Sequence, residues 1–485
     1  MMNLRYLLPE WVALGVFILL LIAEILKGDV KHPDAQNIRS FCITSLLGSI
    51  LVCISTLLFL KKTGTAFGDS FIVDPLSAFF KLFFILTLFM MIPISYAFFN
   101  KRRERLETFL LILWCTLLGM FFLASANDLF VLFLCIEIIT LSFYIMAAYL
   151  KHELPSIESG LKYLIIGSLA SAFLVFGIAL IYAAVGSTNL PVLHQAFVAH
   201  PGDRMLVLGM LFIIAGLGFK IGAVPFHLWV PDVYEGAPIP TVAFLSVGSK
   251  AAGIFVLLRL LFQVFVLTDS QRALLFSTLS ALTMICGNFG ALKQTSLKRL
   301  LGYSSIAHAG YLLIGFAVGY SGGITGVLYY LLAYAAANLT IFLVMAIVDR
   351  HLQSDRIEAY AGLAQRSPIL GACFFIALLS LAGVPGTAGF FGKFLILLAA
   401  VHGGFLWLTL LGLVGVVVSL YYYLSVVRVI YAEEPAYDEA IPVPLSYRLT
   451  LILLVGGIFV LGLFPAPFLL GCYHTAFMLF QTPLS

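Results

Sequence analysis

Five ionisable side chains lie deep inside long apolar runs. Glu137 stands in LFLCIEIITL, Lys220 in GLGFKIGAVPFHLW, Lys250 in FLSVGSKAAGIF, His308 in GYSSIAHAGYLL and Lys393 in SLAGVPGTAGFFGKF. A charge at the centre of a bilayer costs about 3 kcal/mol or more, so such residues are kept for a pathway or for a pairing partner. Their chemistry suits proton movement. Burial disfavours the charged form of any such group, and an approaching opposite charge restores it. A Lys–Glu pair whose spacing changes is therefore a switchable proton site. Lys, Glu and His alternating with water hand protons along a line, and Ser246, Ser249, Ser304, Ser305 and Thr387 are placed to order that water.

Each residue also has a plainer reading. Glu137 and Lys220 have, as the lesser reading, that of one structural ion pair, and are expected within pairing distance across the fifth and seventh runs. His308 reads as a relay or as a hydrogen-bonded core histidine, and His227 is open in the same way. Glu158 and Lys162 are an i,i+4 pair at the start of the sixth run, either auxiliary to the path or simply paired at the interface. Lys81 and Arg259, near run ends, are expected to snorkel; Glu24 is expected to be structural or to snorkel. Lys250 and Lys393 have no carboxylate nearby in sequence, which leaves the structural reading weaker for them.

Composition requires a membrane around these residues. Of 485 residues, 62% are hydrophobic and 10% charged, with a mean hydropathy of +1.08. A chain this apolar cannot cover itself with polar groups in water. The net charge of +4 is spread thinly between apolar runs, with no footprint for nucleic acid. The seven cysteines, Cys42, Cys53, Cys115, Cys135, Cys286, Cys373 and Cys472, are unclustered. That argues against iron–sulfur and zinc sites and against a disulfide framework. No Walker, GxGxxG or HExxH motif occurs, so any catalysis is vectorial transport.

The expected fold is an all-α integral membrane bundle of about fourteen spans, at 10–27, 40–60, 76–98, 107–125, 128–150, 160–184, 205–229, 238–266, 272–292, 299–320, 323–348, 369–401, 404–431 and 447–471, with a short tail from Cys472 onward. The first run is read as a retained helix, because it is long, holds Glu24 and lacks a cleavage site. The whole of 1–485 reads as a single polytopic membrane domain with no soluble insertion. Pro225 and Pro385 lie inside the seventh and twelfth runs and should break them. Broken backbone at membrane depth is tolerated only beside protein or a water cavity. Two interrupted helices five apart suggest inverted five-helix repeats, helices 4–8 (107–266) and 9–13 (272–431), after N-terminal helices at 10–98 and before a last helix at 447–471. The alternative is two unrelated proline kinks. Lys and Arg concentrate in the loops after odd-numbered runs, such as Lys31, Lys101, Arg102, Arg103, Arg105 and Lys151; the opposite side holds mainly Arg5, Lys61, Lys62, Arg204 and Arg272. By the positive-inside rule both termini then face the non-cytoplasmic side.

The segment GFKIGAVPFHLWVPDVYEGAPIPTVAFLSVGSKAA (218–252) resembles the antiporter-like membrane subunits of respiratory complex I, and QTSLKRLLGYSSIAHAGYLL (294–313) and SLAGVPGTAGFFGKF (380–394) agree with it. Within that family PDVYEGAP and the lysine at 393 resemble the subunit N branch of NADH–quinone oxidoreductase. The resemblance covers nearly the whole chain. It implies that Glu137 pairs with Lys220, that Lys250 is a central-axis lysine, that Lys393 lies on the exit side, and that His308 lies between them. It also implies no flavin, iron–sulfur cluster or quinone site in this chain, those belonging to other subunits. The implied partners are sibling antiporter-like subunits in a bacterial inner membrane. Relatives that take electrons from ferredoxin share much of the pattern, so the donor stays open, as do proton stoichiometry and quinone species. Three other readings remain: a subunit of a multi-subunit sodium/proton antiporter, a purely structural subunit, and a stand-alone solute carrier.

Overall fold

With no water in the hydrocarbon, each spanning segment must satisfy its own backbone, and only helices do so alone. A computed structural model of the chain describes residues 4–27, 35–60, 62–100, 102, 104–352, 354–435 and 439–481. The helices, numbered in chain order, are α1 Leu8–Lys27, α2 Ala35–Phe59, α3 Pro75–Phe99, α4 Leu106–Ser125, α5 Leu129–Ala147, α6 Leu154–Val185, α7 Leu190–Ala199, α8 Arg204–Ile221, α9 Trp229–Gly236, α10 Ile239–Phe244, α11 Lys250–Gln263, α12 Asp269–Ala291, α13 Leu297–Val318, α14 Ser321–Leu352, α15 Leu363–Arg366, α16 Pro368–Ala382, α17 Ala388–His402, α18 Leu406–Ala432, α19 Leu445–Leu463 and α20 Ala466–Gln481. Lys31, Lys61, Lys101 and Arg103 of the topology argument lie outside the described residues.

Thirteen helices among the described residues are long and apolar enough to cross a membrane. The expected twelfth run supplies a broken one. It divides into α16 and α17, 15 residues each. Each rises about 22 Å at 1.5 Å per residue, short of the roughly 30 Å hydrocarbon core that the two together reach. Between them Gly383 has φ 91°, a left-handed conformation that costs other residues strain. The seventh run differs from its expected bounds 205–229: α8 stops at Ile221, Gly222 takes φ 73°, the Val224–Pro225 bond is cis, and the chain resumes as the eight-residue α9.

Three local features depart from expectation. The eighth run holds a five-residue π turn, Leu245–Ser249, immediately before Lys250. Residues 473–481 are helical, as the second half of α20, and the fourteenth run ends at Leu463. A two-stranded antiparallel hairpin, Gly64–Ala66 with Phe71–Val73, precedes α3. The hairpin delivers the chain to Asp74, whose carboxylate accepts from the Ser77 backbone N–H and caps α3.

Chain contacts divide the molecule into two units. The first takes the described residues of Met1–Lys220, Gly248–Leu267 and Met478–Ser485, the second those of Ile221–Val247 and Thr268–Phe477. The chain leaves the first unit directly after Lys220 and re-enters it two residues before Lys250, so both lysines sit where backbone irregularity and unit boundary coincide. Burial ranks the helices. An 18-residue apolar stretch of the α10–α11 span is wholly buried and one of α13 is 94% buried, against 28% for those of α1, α6 and α19. Outer helices turn Leu, Ile and Val outward, Ile165, Val417 and Ile452 among them, as lipid or a membrane neighbour requires.

Candidate functional site

In the first unit, Lys220 is the penultimate residue of α8 and is buried. Its ammonium donates to Thr140 Oγ1 of α5 at 2.6 Å. Thr140 gives its own proton to the Ile136 carbonyl at 2.7 Å, which leaves its oxygen free to accept. Glu137, half-buried one turn before Thr140, accepts from Ser171 of α6 at 2.5 Å. Among the described residues no direct Glu137–Lys220 contact within 4.0 Å accompanies these bonds. Each charge faces a hydroxyl, and Thr140, i+3 from Glu137 on the same helix, occupies the place a carboxylate was expected to take. Lys250, buried, follows the π turn as the first residue of α11. Glu158 and Lys162 pair at 2.8 Å on the exposed start of α6.

Two expectations about run ends are overturned. Lys81 does not snorkel: it is 2% exposed and pairs with fully buried Glu10 at 2.6 Å, while Ser125 donates to the same carboxylate oxygen. Arg259 is fully buried and forks onto Asp74, with Gln263 taking a further bond. Both partners lie far away in sequence, and a long cation surrounded by protein has no route to water except through its pair. Glu24 is structural, joined to Arg105 at 2.9 Å and Thr108 at 3.3 Å.

In the second unit, Lys393 of α17 is buried and reaches back over the break. Its ammonium donates to the carbonyls of Leu381 and Ala382 at 2.8 and 3.1 Å, the buried C-terminal end of α16. A cation there meets the negative end of a helix dipole. The break at Gly383–Thr387 thus creates the lysine's binding place. His308 on α13 is buried between Tyr330 of α14 and Tyr423 of α18, one phenol at each ring nitrogen. Thr387 and Ser246 each turn back to a local carbonyl, and Ser305 meets the hydroxyls of Tyr234 and Tyr334. The segment PDVYEGAP, helical through Gly236 as part of α9, is clasped to α13: Arg299 bonds Asp232 at 3.0 Å and Glu235 at 2.7 Å, and Lys298 reaches the Ala237 carbonyl at 3.3 Å. Pro225 lies exposed, and His227 is half-buried beyond it. Among the described residues no three or more His, Cys, Asp or Glu gather as for a metal ion.

Sequence reasoning gave these tyrosines no role. A signal was present: Ser304 and His308, and Tyr330 and Tyr334, are i,i+4 pairs that put polar groups on one face of each helix.

Buried amines on broken or bulged helices within an all-helical membrane bundle define a class, that of membrane subunits built for moving ions. The family model described as "NADH:quinone oxidoreductase/Mrp antiporter, TM" matches residues 126–419, a stretch that holds Glu137, Lys220, Lys250, His308 and Lys393, and the chain belongs to this family. A protein of Desulforamulus reducens named NADH-quinone oxidoreductase subunit N is 39% identical over 455 residues, 94% of either chain. NAD(P)H-quinone oxidoreductase subunit 2 of Thermosynechococcus vestitus is 40% identical over 435 residues, 90% of this chain and 83% of that one. A chain in the solved respiratory complex I of Thermus thermophilus with bound aureothin superposes with a TM-score of 0.80 at 33% identity, over 95% of this chain and 98% of its own length.

Proposed function

We propose that this chain is the proton-translocating subunit N of NADH-quinone oxidoreductase, respiratory complex I. It works as one membrane subunit of that translocase beside its antiporter-like siblings. Quinone reduction, and the flavin and iron–sulfur clusters that feed it, belong to other subunits; this chain moves protons. It resides in a bacterial inner membrane with both termini on the non-cytoplasmic side.

One observation carries the reading: three buried lysines, each beside a backbone irregularity, lie within a segment matched by a family of ion-moving subunits. Lys220 switches between its hydroxyl partner Thr140 and the carboxylate of Glu137 one turn away. Lys250 continues the path, His308 relays, and Lys393, held by the α16 carbonyls, releases the proton on the exit side. Glu158, Lys162 and His227 assist at the path's edges. Pro225 and Pro385 open the two helices, and we assign 107–266 and 272–431 as the two inverted repeats. The family description also covers Mrp antiporters; near full-length relatives at 39–40% identity, all named as quinone oxidoreductase subunits, favour the redox-driven reading.

The test is proton pumping by the assembled complex in vesicles, wild type against Lys220→Ala, at matched complex content. Quinone reductase activity and pumping are expected to fall together with assembly intact. Both persisting at wild-type levels would remove Lys220 from the path.

A further inference from the structure

Both ring nitrogens of His308 meet a tyrosine hydroxyl. Nδ1 faces Tyr330, and Nε2 faces Tyr423 at 3.2 Å. Tyr423 also bonds the Ser304 hydroxyl. All four side chains are essentially sealed from solvent, at 2% exposure or less. They come from three helices, α13, α14 and α18, so the arrangement is tertiary and not a by-product of local helix geometry. The Lys393 ammonium lies 5.0 Å from the ring of Tyr311, which itself neighbours the His308 imidazole, ring centroids 6.4 Å apart. The base of the Tyr330 side chain, away from its hydroxyl, packs on Gly392, where an added Cβ would stand 2.6 Å from Cδ2 and 3.1 Å from Cα. That places Tyr330 beside the residue preceding Lys393.

We propose that Tyr330 and Tyr423 are proton-relay residues, forming with Ser304 and His308 a continuous hydroxyl–imidazole chain that leads toward Lys393. The proposal rests on the proton-translocating reading above and adds residues that reading does not use. A neutral imidazole has one N–H and one bare nitrogen, while a hydroxyl both donates and accepts. Of the two phenols at His308, one must therefore donate while the other accepts, which gives the chain a direction. With the ring proton on Nδ1, Tyr423 passes its hydroxyl proton to Nε2 as Ser304 makes good the loss. The Nδ1 proton then passes to the Tyr330 oxygen as Tyr330 gives its own hydroxyl proton to a water on the Lys393 side, and a water at the other end returns a proton to Ser304. One proton enters, one leaves, and no electron moves. Rotation of the imidazole and of the hydroxyls resets the chain. A buried core histidine needs one partner at each ring nitrogen, but not the further hydroxyl of Ser304 behind Tyr423.

The experiment uses the assembled complex in vesicles at matched complex content. Tyr330→Phe, Tyr423→Phe and His308→Gln are compared with wild type and with Lys250→Ala. Each Phe variant removes one relay atom, and Gln keeps hydrogen-bonding capacity but cannot take a proton on one nitrogen while yielding one from another. Pumping at least several-fold below wild type is expected in all three. The isosteric replacement of Tyr423 by 3-fluorotyrosine guards against misfolding and against a merely positioning role. It keeps the hydroxyl and makes it a stronger acid, so the pH profile of pumping should move to lower pH. Wild-type pumping in both Phe variants overturns the relay, as does an unmoved profile with fluorotyrosine. If the Phe variants pump normally while Lys250→Ala does not, the relay fails and the subunit's function stands. If Lys250→Ala also pumps normally, the function reading itself fails.

Discussion

At the scale of single residues, the molecule handles buried charge in two ways. Some cations are locked. Lys81 meets Glu10, and Arg259 meets Asp74 and Gln263. Others are held by neutral groups: Lys220 by a threonine hydroxyl and Lys393 by two carbonyls. A carboxylate partner fixes the ammonium state, whereas a hydroxyl or carbonyl positions the amine with a weaker hold on its proton, which suits a site that must load and unload. Two predictions separate these classes. Lys81→Met leaves the Glu10 carboxylate buried without its partner, at a cost of about 3–5 kcal/mol. The yield and melting temperature of the purified complex should drop, and the double variant with Glu10→Leu should recover most of the loss. Full stability in the single variant would show that the pair is not a lock. Thr140→Val removes the acceptor of Lys220 without changing shape, and a hydrogen bond to a charged group is worth roughly 1.5–3 kcal/mol. Here assembly should hold while pumping drops about tenfold, and Thr140→Ser should retain most of it. A Val variant that pumps normally would mean Lys220 does not use this hydroxyl.

Among the elements, what could be read from sequence was whatever breaks the rules lipid imposes. Lysines at membrane depth, and prolines inside apolar runs, stand out because an uninterrupted apolar helix explains neither. Hence the breaks near Pro225 and Pro385 were legible. The π turn before Lys250 was not, since LSVGS carries no proline and reads as ordinary helix. Nor were the partners: Glu10 is 71 residues from Lys81 and Asp74 is 185 from Arg259, separations that no spacing rule reaches. The residues from Cys472 onward read as a short tail, yet 472–481 complete a 16-residue helix. The α16–α17 break offers an element-scale prediction. Gly383 holds φ 91°, and a Cβ there would stand 3.1 Å from Lys393 Cδ. Gly383→Ala thus adds left-handed strain of about 1–2 kcal/mol and pushes the lysine off the carbonyls it donates to. Pumping should decline while complex content falls only modestly. A variant that pumps as wild type would show that this break does not set the position of Lys393.

For the whole molecule the open quantity is sidedness, which follows from where the loops place their charge. Because α5 and α6 are each long enough to span, the loops at their two ends must lie on opposite faces of the membrane. The loop between α5 and α6 carries exposed Lys151, and the loop between α7 and α8 carries exposed Asp203. Cationic loops are retained in the cytoplasm during insertion, and the basic loop after α3, with Arg102 and Arg105, falls on the Lys151 side by the same alternation of spans. The expected arrangement therefore puts Lys151 inside and Asp203 outside. Single-cysteine variants Lys151→Cys and Asp203→Cys, made in a chain whose seven native cysteines are replaced by serine or alanine, test this with a membrane-impermeant maleimide. In right-side-out vesicles only the 203 variant should label, and in inverted vesicles only the 151 variant. The reverse pattern would turn the whole bundle over, and with it the direction of proton flow through Lys220, Lys250 and Lys393. Labelling of both from one side would mean that α6 does not cross the membrane, and the alternation of spans on which the topology rests would be lost.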